Sequence, residues 1–268
     1  MDDQRDATTV TVSESAEEVA VVRDAGVMII TINRPHARNA VSRGVSIRVA
    51  EALDELDGSD DLTVGILTGA GQHFCAGMDL KRFLKGERAG IPGRGFAGIT
   101  EAPPAKPMIA AVEGYALAGG CEVVAACDLV VAARSAKFGI PEVKRGLVAA
   151  AGGLMRLPSK IPLPIAMELA LTGDLMSAER AHQVGLVNRL SDDGYALATA
   201  NEIARAIAAN GPLAVRASKQ IMTEYHLWPD DQRWAQQCKI TDRVFASDDA
   251  QEGARAFAEK RPPRWTGR

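Results

Sequence analysis

Short runs of hydrophobic residues, some alternating with polar ones, dominate the chain up to about residue 195. The run "VAVVRDAGVMIITIN" (19–33) predicts a β-hairpin whose turn is formed by Asp24, Ala25 and Gly26. Further apolar runs of strand length predict strands over 63–69, 107–114, 128–133 and 185–191.

Between these strands, apolar residues recur with a period near 3.6, which predicts helices. Over 41–57 the pattern predicts a helix capped by Ser42 or Ser46, and over 177–185 it predicts one capped by Ser177. Strands that alternate with helices indicate an α/β fold with parallel strand pairing. The residues expected on the buried face of the first helix are Val45, Val49, Ala52, Leu53 and Leu56.

From about residue 195 the pattern changes to successive helical runs. The first residues are acidic and polar, without the basic and then apolar stretches of a signal peptide. We therefore expect a disordered tail over 1–17, a mixed core over 18–194 and a helical C-terminal region over 195–268.

Composition and charge exclude several classes of protein. The chain has 268 residues, of which 47% are hydrophobic and 24% charged, so it can build a sizeable core. Its net charge of −3 argues against a nucleic-acid partner, since such proteins are normally basic. No apolar run reaches the ~20 residues of a membrane span. Because Cys75, Cys121, Cys127 and Cys238 lack metal-site spacing, we expect no metal, and a reducing, cytoplasmic setting.

The first sign of chemistry is Glu122, which lies in the apolar, small-residue run "YALAGGCEVVAACD" (115–128). Burying an unpaired carboxylate is costly, so Glu122 is either functional or a structural carboxylate paired with a lysine or a backbone amide. Gly119 and Gly120 open the predicted helix that carries Glu122, and the free N–H groups at such a helix end suit a developing oxyanion. The sequence contains no P-loop, GxSxG or HExxH motif.

Several longer segments resemble the enoyl-CoA hydratase/isomerase family, whose members are also called crotonases. They are "NRPHARNAVS" (33–42), "GILTGAGQHFCAGMDL" (65–80), "EGYALAGGCEVVAACDLVVAARSAKFGIPE" (113–142), "GLVNRL" (185–190) and "FAEKRPPRW" (257–265). The resemblance implies a crotonase-type spiral of β-β-α units over 18–194, and assembly into a homotrimer or hexamer through 195–268. It also implies an acyl-CoA thioester substrate, with no cofactor beyond the coenzyme A of that substrate.

The resemblance implies a complete set of catalytic groups. The backbone N–H groups of Met78 and Gly119 would form an oxyanion hole, and the carboxylates of Glu122 and Glu142 would hold one water between them. Glu142 would give a proton to C2, while Glu122 orients the water and accepts its proton as oxygen attacks C3. Two carboxylates in one apolar pocket should not both ionise freely, so we expect one raised pKa.

For the CoA moiety, the resemblance implies contacts from the loops near Arg38 and Met78, and from the last helix of a neighbouring subunit. Arg38 and Lys81 would meet phosphates, although simple solvation is the alternative for each of these cations. The implied CoA-binding residues are Ala37, Arg38, Ala76, Leu80, Lys81, Phe257 and Lys260.

Other residues have supporting interpretations. Asp79 is expected to cap a helix, Arg34 to anchor a loop and Asp128 to be structural. The glycines and prolines of 80–106 predict a mobile loop that shapes the acyl pocket.

The leading functional hypothesis is hydration of a trans-2-enoyl-CoA to a 3-hydroxyacyl-CoA, as in fatty acid oxidation, because both glutamates are present. One alternative is an enoyl-CoA isomerase or another crotonase-type reaction, and another is a non-catalytic acyl-CoA-binding scaffold. The acyl group stays open, because "AAAGG" (149–153) carries more methyl groups than the Gly-Ala-Gly-Gly expected of hydratases.

Overall fold

The structure, a computed structural model, describes residues 17–268. The tail predicted over 1–17 therefore lies outside the described residues, apart from Glu17. The strands are β1 (Val19–Asp24), β2 (Val27–Ile32), β3 (Val64–Gly69), β4 (Met108–Val112), β5 (Tyr115–Leu117), β6 (Leu129–Ala133), β7 (Lys137–Gly139), β8 (Met176–Ser177) and β9 (Arg189–Ser191). The α-helices are α1 (Arg43–Gly58), α2 (Leu80–Phe83), α3 (Gly119–Ala126), α4 (Gly153–Lys160), α5 (Leu163–Thr172), α6 (Ala178–Gln183), α7 (Ala196–Ala208), α8 (Pro212–Glu224), α9 (Arg233–Phe245) and α10 (Asp248–Glu259). Short 3-10 turns lie at Pro35–Ala37, Phe96–Gly98, Pro141–Arg145, Tyr225–Leu227 and Asp230–Gln232.

The strands form a larger and a smaller sheet. In the larger sheet the order is β1-β2-β3-β4-β6-β9, and the neighbouring pairs from β2 onward are parallel. The edge strand β1 is antiparallel to β2 and forms the predicted hairpin, whose Ala25 and Gly26 both have positive φ, as a tight hairpin turn requires. In the smaller sheet β7 pairs in parallel with β5 and antiparallel with β8. The predicted α/β class with parallel pairing is confirmed.

The larger sheet carries a hydrophobic core on each face. Met28, Ile30 and Ile32 of β2 contribute to the larger core, which also takes in residues of α1, α3 and the smaller sheet. Val27 and Ile66 contribute to the other core, which α7 covers. Strands that are buried on both faces read as nearly continuous apolar runs, which explains the composition of β2, β3 and β4.

Helix α1 follows its predicted pattern. The hydroxyl of Ser42 accepts a hydrogen bond from Val45 N at 3.1 Å, so Ser42 rather than Ser46 is the N-cap. All the residues predicted on its apolar face are buried. Each fully buried valine or leucine contributes roughly 1.5–3 kcal/mol, so this face holds α1 on the sheet.

The helices after residue 195 also appear where the pattern predicts them. α7 lies on the larger sheet through Ala196, Ala200 and Ala204, which are fully buried. α8 packs against α9, and α9 packs against α10. The domain boundaries, and the role of 195–268 in assembly, stay predictions.

The segment 185–191 is less extended than predicted. Within it, Arg189–Ser191 is a strand. The N–H groups of Leu186 and Val187 instead donate to the carbonyl of Ala181, at 2.9 and 3.2 Å, and complete the C-terminus of α6. Leu186 and Val187, which the pattern assigned to the strand, therefore belong to the C-terminal cap of α6.

The segment 80–106, predicted as a mobile loop, makes defined contacts with α1. The turn Phe96–Gly98 lies so close to α1 that a Cβ on Gly98 would overlap the carbonyl of Ser46. The hydroxyl of Ser46 also donates to the carbonyl of Ala89. The mobility of this segment stays a prediction.

In the part of the chain from 17 to 268, no helix combines the length and the apolar character that crossing a membrane requires.

Candidate active site

The loop that contains Met78 pairs with the segment after the first 3-10 turn. Val41 N donates to Gly77 O at 2.8 Å and Asp79 N donates to Val41 O at 3.0 Å, which makes one parallel rung between Val41 and Met78. Because both bonds of the rung belong to Val41, the N–H group of Met78 points away from it. The Met78 N–H finds no acceptor among residues 17–268, and it is therefore available to a ligand.

Gly119 is the first residue of α3, so its N–H lies outside the hydrogen-bond ladder of the helix. The preceding Ala118 has φ 53° and ψ −127°. Such a conformation costs an L-residue on the order of 1–3 kcal/mol, and strain of this kind concentrates at functional sites. A Cβ on Gly77 would lie 3.5 Å from Gly119 N, so the Met78 and Gly119 N–H groups belong to adjoining loops.

A phenylalanine ring packs directly on Gly119. A Cβ on Gly119 would lie 2.5 Å from Phe96 Cε1 and 2.6 Å from its Cζ, so this position admits a glycine alone unless the ring moves. Phe96 N donates to Thr100 Oγ1 at 2.9 Å, and Thr100 O accepts from Arg156 Nη2 at 2.6 Å. The ring is therefore held between α1, α3 and α4.

Glu122 is 2% exposed and lies one helical turn after Gly119. Its Oε1 accepts hydrogen bonds from Ala151 N at 2.8 Å and Gly153 N at 2.9 Å. The segment "AAAGG" thus holds Glu122 by two backbone N–H groups at and just before the start of α4. Oε2 of Glu122 receives no hydrogen bond from residues 17–268, so one carboxylate oxygen is fixed and the other is free.

Glu142 lies in the turn Pro141–Arg145, just after the smaller sheet. Its Oε2 is buried and has no hydrogen-bond partner among residues 17–268. Leaving a buried acceptor unsatisfied is costly, so an oxygen of this kind is one that a ligand or a water is expected to meet.

The two carboxylates are close enough to influence each other. Burial raises the pKa of both, and the charge on Glu122 raises the pKa of Glu142 further. The N–H bonds from Gly153 and Ala151 and the charge of Arg156 act in the opposite direction on the pKa of Glu122. The pair is therefore suited to a state in which one carboxyl keeps its proton and the other is ionised, as an acid–base pair requires.

The residues implied in CoA binding fall into two places. Ala76 N donates to Arg38 O at 3.0 Å, which brings the turn at Ala37 and Arg38 against the Met78 loop. Asp79 caps α2 as predicted, because its Oδ1 accepts from Lys81 N at 3.1 Å and Arg82 N at 3.2 Å. The structure thereby brings together Ala37, Arg38, Ala76, Leu80 and Lys81 beside the Met78 loop.

Phe257 and Lys260 are not part of this group within one chain. They lie on and just after α10, which packs against α9, and the Phe257 side chain is 88% exposed. Their implied contact with a CoA moiety in a neighbouring subunit stays a prediction.

Two residues of the site were not singled out from the sequence. Phe96 lies in the glycine-rich segment 80–106, where no periodic pattern marks it. Arg156 follows "AAAGG" by three residues on α4, and the sequence signal that could have found it is a cation placed one turn after a glycine-rich segment. Arg34 anchors its loop as expected, since it binds Asp79, and Asp128 has the structural role expected of it, since it binds Lys219.

The arrangement combines two N–H donors, two carboxylates of raised pKa and an apolar surround. It can stabilise a developing oxyanion while moving protons to and from neighbouring carbon and oxygen atoms. Among residues 17–268, the acidic, histidine and cysteine side chains form no cluster of metal-ligand type.

Comparison with known proteins gives consistent relatives. The family described as enoyl-CoA hydratase/isomerase matches residues 22–268. The enoyl-CoA hydratase EchA19 of Mycobacterium tuberculosis is 42% identical over 266 residues, which cover 95% of this chain and 98% of that protein. The carnitinyl-CoA dehydratase of Salmonella typhi is 39% identical over 262 residues, which cover 94% of this chain and all of that protein. The crystal structure of enoyl-CoA hydratase EchA1 from Mycobacterium marinum is 62% identical, with a TM-score of 0.92 over 94% of this chain and 100% of that one.

Proposed function

The chain belongs to the enoyl-CoA hydratase/isomerase family, and we propose that Glu122 and Glu142 add water across the double bond of a trans-2-enoyl-CoA. Its fold is the crotonase-type α/β fold of its relatives, and it is an enoyl-CoA hydratase. The observation that carries the proposed roles is the oxygen on each glutamate that has no hydrogen-bond partner among residues 17–268, Oε2 of Glu122 and Oε2 of Glu142.

The reaction begins with polarisation of the thioester. Its carbonyl oxygen accepts hydrogen bonds from Met78 N and Gly119 N, the two N–H groups that lie on adjoining loops. Addition of water at C3 moves negative charge onto this oxygen, and two fixed donors stabilise the resulting enolate. In comparable enzymes the loss of one such donor costs roughly 3–4 kcal/mol of transition-state stabilisation.

The two glutamates divide the proton transfers. The ionised Glu122 is fixed by Ala151 N and Gly153 N through Oε1, so its Oε2 orients the water and accepts a proton as the water oxygen bonds to C3. The protonated Glu142, whose pKa is raised by burial and by Glu122, gives its proton to C2. Glu122 accepts one proton and Glu142 donates one, so the product carries one added water. Exchange of a proton then returns Glu122 to its ionised form and Glu142 to its protonated form.

Binding of the CoA moiety is proposed to extend from this centre along the loops of Arg38 and Met78. Ala37, Ala76 and Leu80 border that path, and Arg38 and Lys81 supply positive charge for the phosphates. We propose that the reaction needs no cofactor beyond the coenzyme A of the substrate, since the two carboxylates and two N–H groups supply every charge and proton that hydration requires.

Assembly and location are also proposed. We propose a homotrimer or hexamer in which Phe257 and Lys260 reach the CoA of a neighbouring subunit. The exposed Trp234, Phe245 and Phe257 support this, because they leave large apolar side chains uncovered on two helices that pack together, α9 and α10. Free cysteines, three of them buried, support a reducing, cytoplasmic setting. Light scattering at several protein concentrations tests the assembly, and a monomer at all of them contradicts it.

Product mass tests the proposed function. The protein is incubated with crotonyl-CoA in oxygen-18 water, and the product is examined by mass spectrometry as the enoyl-thioester absorbance falls. We expect a product heavier by one labelled water. A product of unchanged mass would instead indicate an isomerase, and bound acyl-CoA without any product would indicate a binding scaffold.

A further inference from the structure

Arg34 is a buried arginine that holds several separate partners. Its side chain lies just after β2, and the residue is 5% exposed. Nη1 donates to Ala40 O, Nη2 donates to Asp79 Oδ2 at 2.8 Å, and Nε lies 3.1 Å from Glu18 Oε1. The planar guanidinium fixes the directions of these bonds, so its partners are held in one geometry.

Two of these bonds bracket the rung between Val41 and Met78. Ala40 immediately precedes Val41, and Asp79 immediately follows Met78. One rigid group therefore ties together the two segments on which the direction of the Met78 N–H depends. Asp79 is fixed from its other side as well, because it caps α2.

We propose that Arg34 is a positioning residue, which aims the Met78 N–H at the thioester oxygen through its bonds to Ala40 and Asp79. The inference rests on the proposed function, in which this N–H is one of the two oxyanion donors. Arg34 itself touches neither the substrate nor the reacting atoms.

Charge alone does not explain this arrangement, because a second arginine, Arg82, also lies beside the carboxylates of Glu18 and Asp79. Arg82 Nη2 lies 2.7 Å from Glu18 Oε1, and its Nε lies 3.8 Å from Asp79 Oδ2. The Arg82 side chain is 39% exposed, and it makes no bond to Ala40. Arg82 is thus a matched control: it carries the same charge in the same cluster without bridging the rung.

The test separates positioning from general stability. Arg34→Lys keeps the positive charge but loses the planar guanidinium and the bond directions that it fixes. Arg82→Gln, the control variant, removes the charge of Arg82. Each protein is saturated with butyryl-CoA, which has no double bond to hydrate, and the infrared band of its carbon-13-labelled carbonyl is recorded. Hydration of crotonyl-CoA is then measured across substrate concentrations.

We expect the wild-type protein to shift the carbonyl band away from its position in water, and Arg34→Lys to lose at least half of that shift. Its kcat should fall by roughly 10–100-fold with KM within about twofold, since the donor acts mainly in the transition state. Arg82→Gln should keep both the band shift and kcat.

A folded Arg34→Lys protein with the wild-type band and kcat would overturn the inference, as would an equal loss in Arg82→Gln. If Arg34→Lys does not fold, Asp79→Asn, which removes the charge that Arg34 holds, is expected to show the same loss of band shift, and a wild-type band there also overturns the inference. Because butyryl-CoA reports geometry without turnover, a wild-type protein that shifts the band but hydrates no enoyl-CoA contradicts the proposed function and leaves the positioning test intact.

Discussion

Gly153 has no room for a side chain, because Glu122 packs against it. A Cβ at this position would lie 2.7 Å from Glu122 Cγ and 3.1 Å from its Oε1. Carbon atoms pack at about 3.5–4.0 Å, so Gly153→Ala has to displace the Glu122 side chain by about 1 Å. The N–H of Gly153 also binds Oε1, so the displacement moves the carboxylate itself.

A misplacement of about 1 Å in a catalytic group can cost on the order of 10²-fold. We therefore expect kcat of Gly153→Ala to fall by roughly 10–100-fold, which corresponds to about 1.4–2.7 kcal/mol in the activation free energy. The fold should not suffer to the same degree. Gly153 begins α4 without a positive φ, and replacing glycine by alanine at a compatible backbone position stabilises a protein by about 0.4–1 kcal/mol through the unfolded chain.

The assay combines steady-state hydration of crotonyl-CoA with thermal unfolding of each protein. Gly58→Ala is the matched control, because Gly58 is also helical and a Cβ there would meet no atom within 4 Å. This control should keep its kcat and be at least as stable as wild type. A folded Gly153→Ala protein with wild-type kcat would refute the claim that Gly153 and Ala151 fix the catalytic position of Glu122.

Further predictions concern pH and stability. Burial, and then the charge of Glu122, raise the pKa of Glu142 above its ordinary value of 4.5, so the folded state binds more protons than the unfolded state and loses stability as pH rises through the raised pKa. Glu142→Gln should therefore be more stable than wild type at neutral pH, by a larger margin than near pH 4.5. Equal differences in the free energy of unfolding at the two pH values, measured in urea, would contradict this. Burial also raises the pKa of Glu122, while the charge of Arg156 lowers it, so Arg156→Gln should move the acidic limb of the kcat profile to higher pH, whereas an unmoved limb would remove Arg156 from this role. Ser42→Ala removes the hydroxyl that accepts from Val45 N and donates to Glu18 Oε2, and should cost about 1 kcal/mol in the free energy of unfolding, whereas a urea titration with an unchanged midpoint would contradict the capping role.

The features that could be predicted from the sequence are those set by neighbouring residues. The hairpin at Ala25 and Gly26 depends on a local turn, and α1 depends on its own period and the cap at Ser42. Local patterns of this kind survive folding because nothing elsewhere in the chain competes with them. Where a competitor exists, as for Leu186 and Val187 at the end of α6, the pattern predicted the wrong element.

The candidate site could be predicted only as far as motifs reach. Glu122 stands out as a charge in an apolar run and Gly119 as the start of its helix, whereas Glu142 and Met78 were added by the resemblance. The position of Phe96 on Gly119 was not predictable, because it depends on how 80–106 crosses α1. Long-range packing of this kind leaves no period in the sequence.

The role of Arg34 shows the same limit in a different form. From sequence it is an anchor for a loop, and the structure agrees with that. That its bonds bracket the rung of Val41 and Met78 follows only from the pairing of two segments distant in sequence.

The most direct test of the central claim is a double-mutant cycle on the two glutamates. Turnover of crotonyl-CoA is measured for wild type, Glu122→Gln, Glu142→Gln and the double variant, all checked for folding. If both carboxylates act on one water, each single variant should lose roughly 10²–10⁴-fold in kcat, and the double variant should lose little more than the worse single variant, because groups that act as a unit are not additive. Wild-type turnover in either single variant, or losses that multiply in the double variant, would contradict the account.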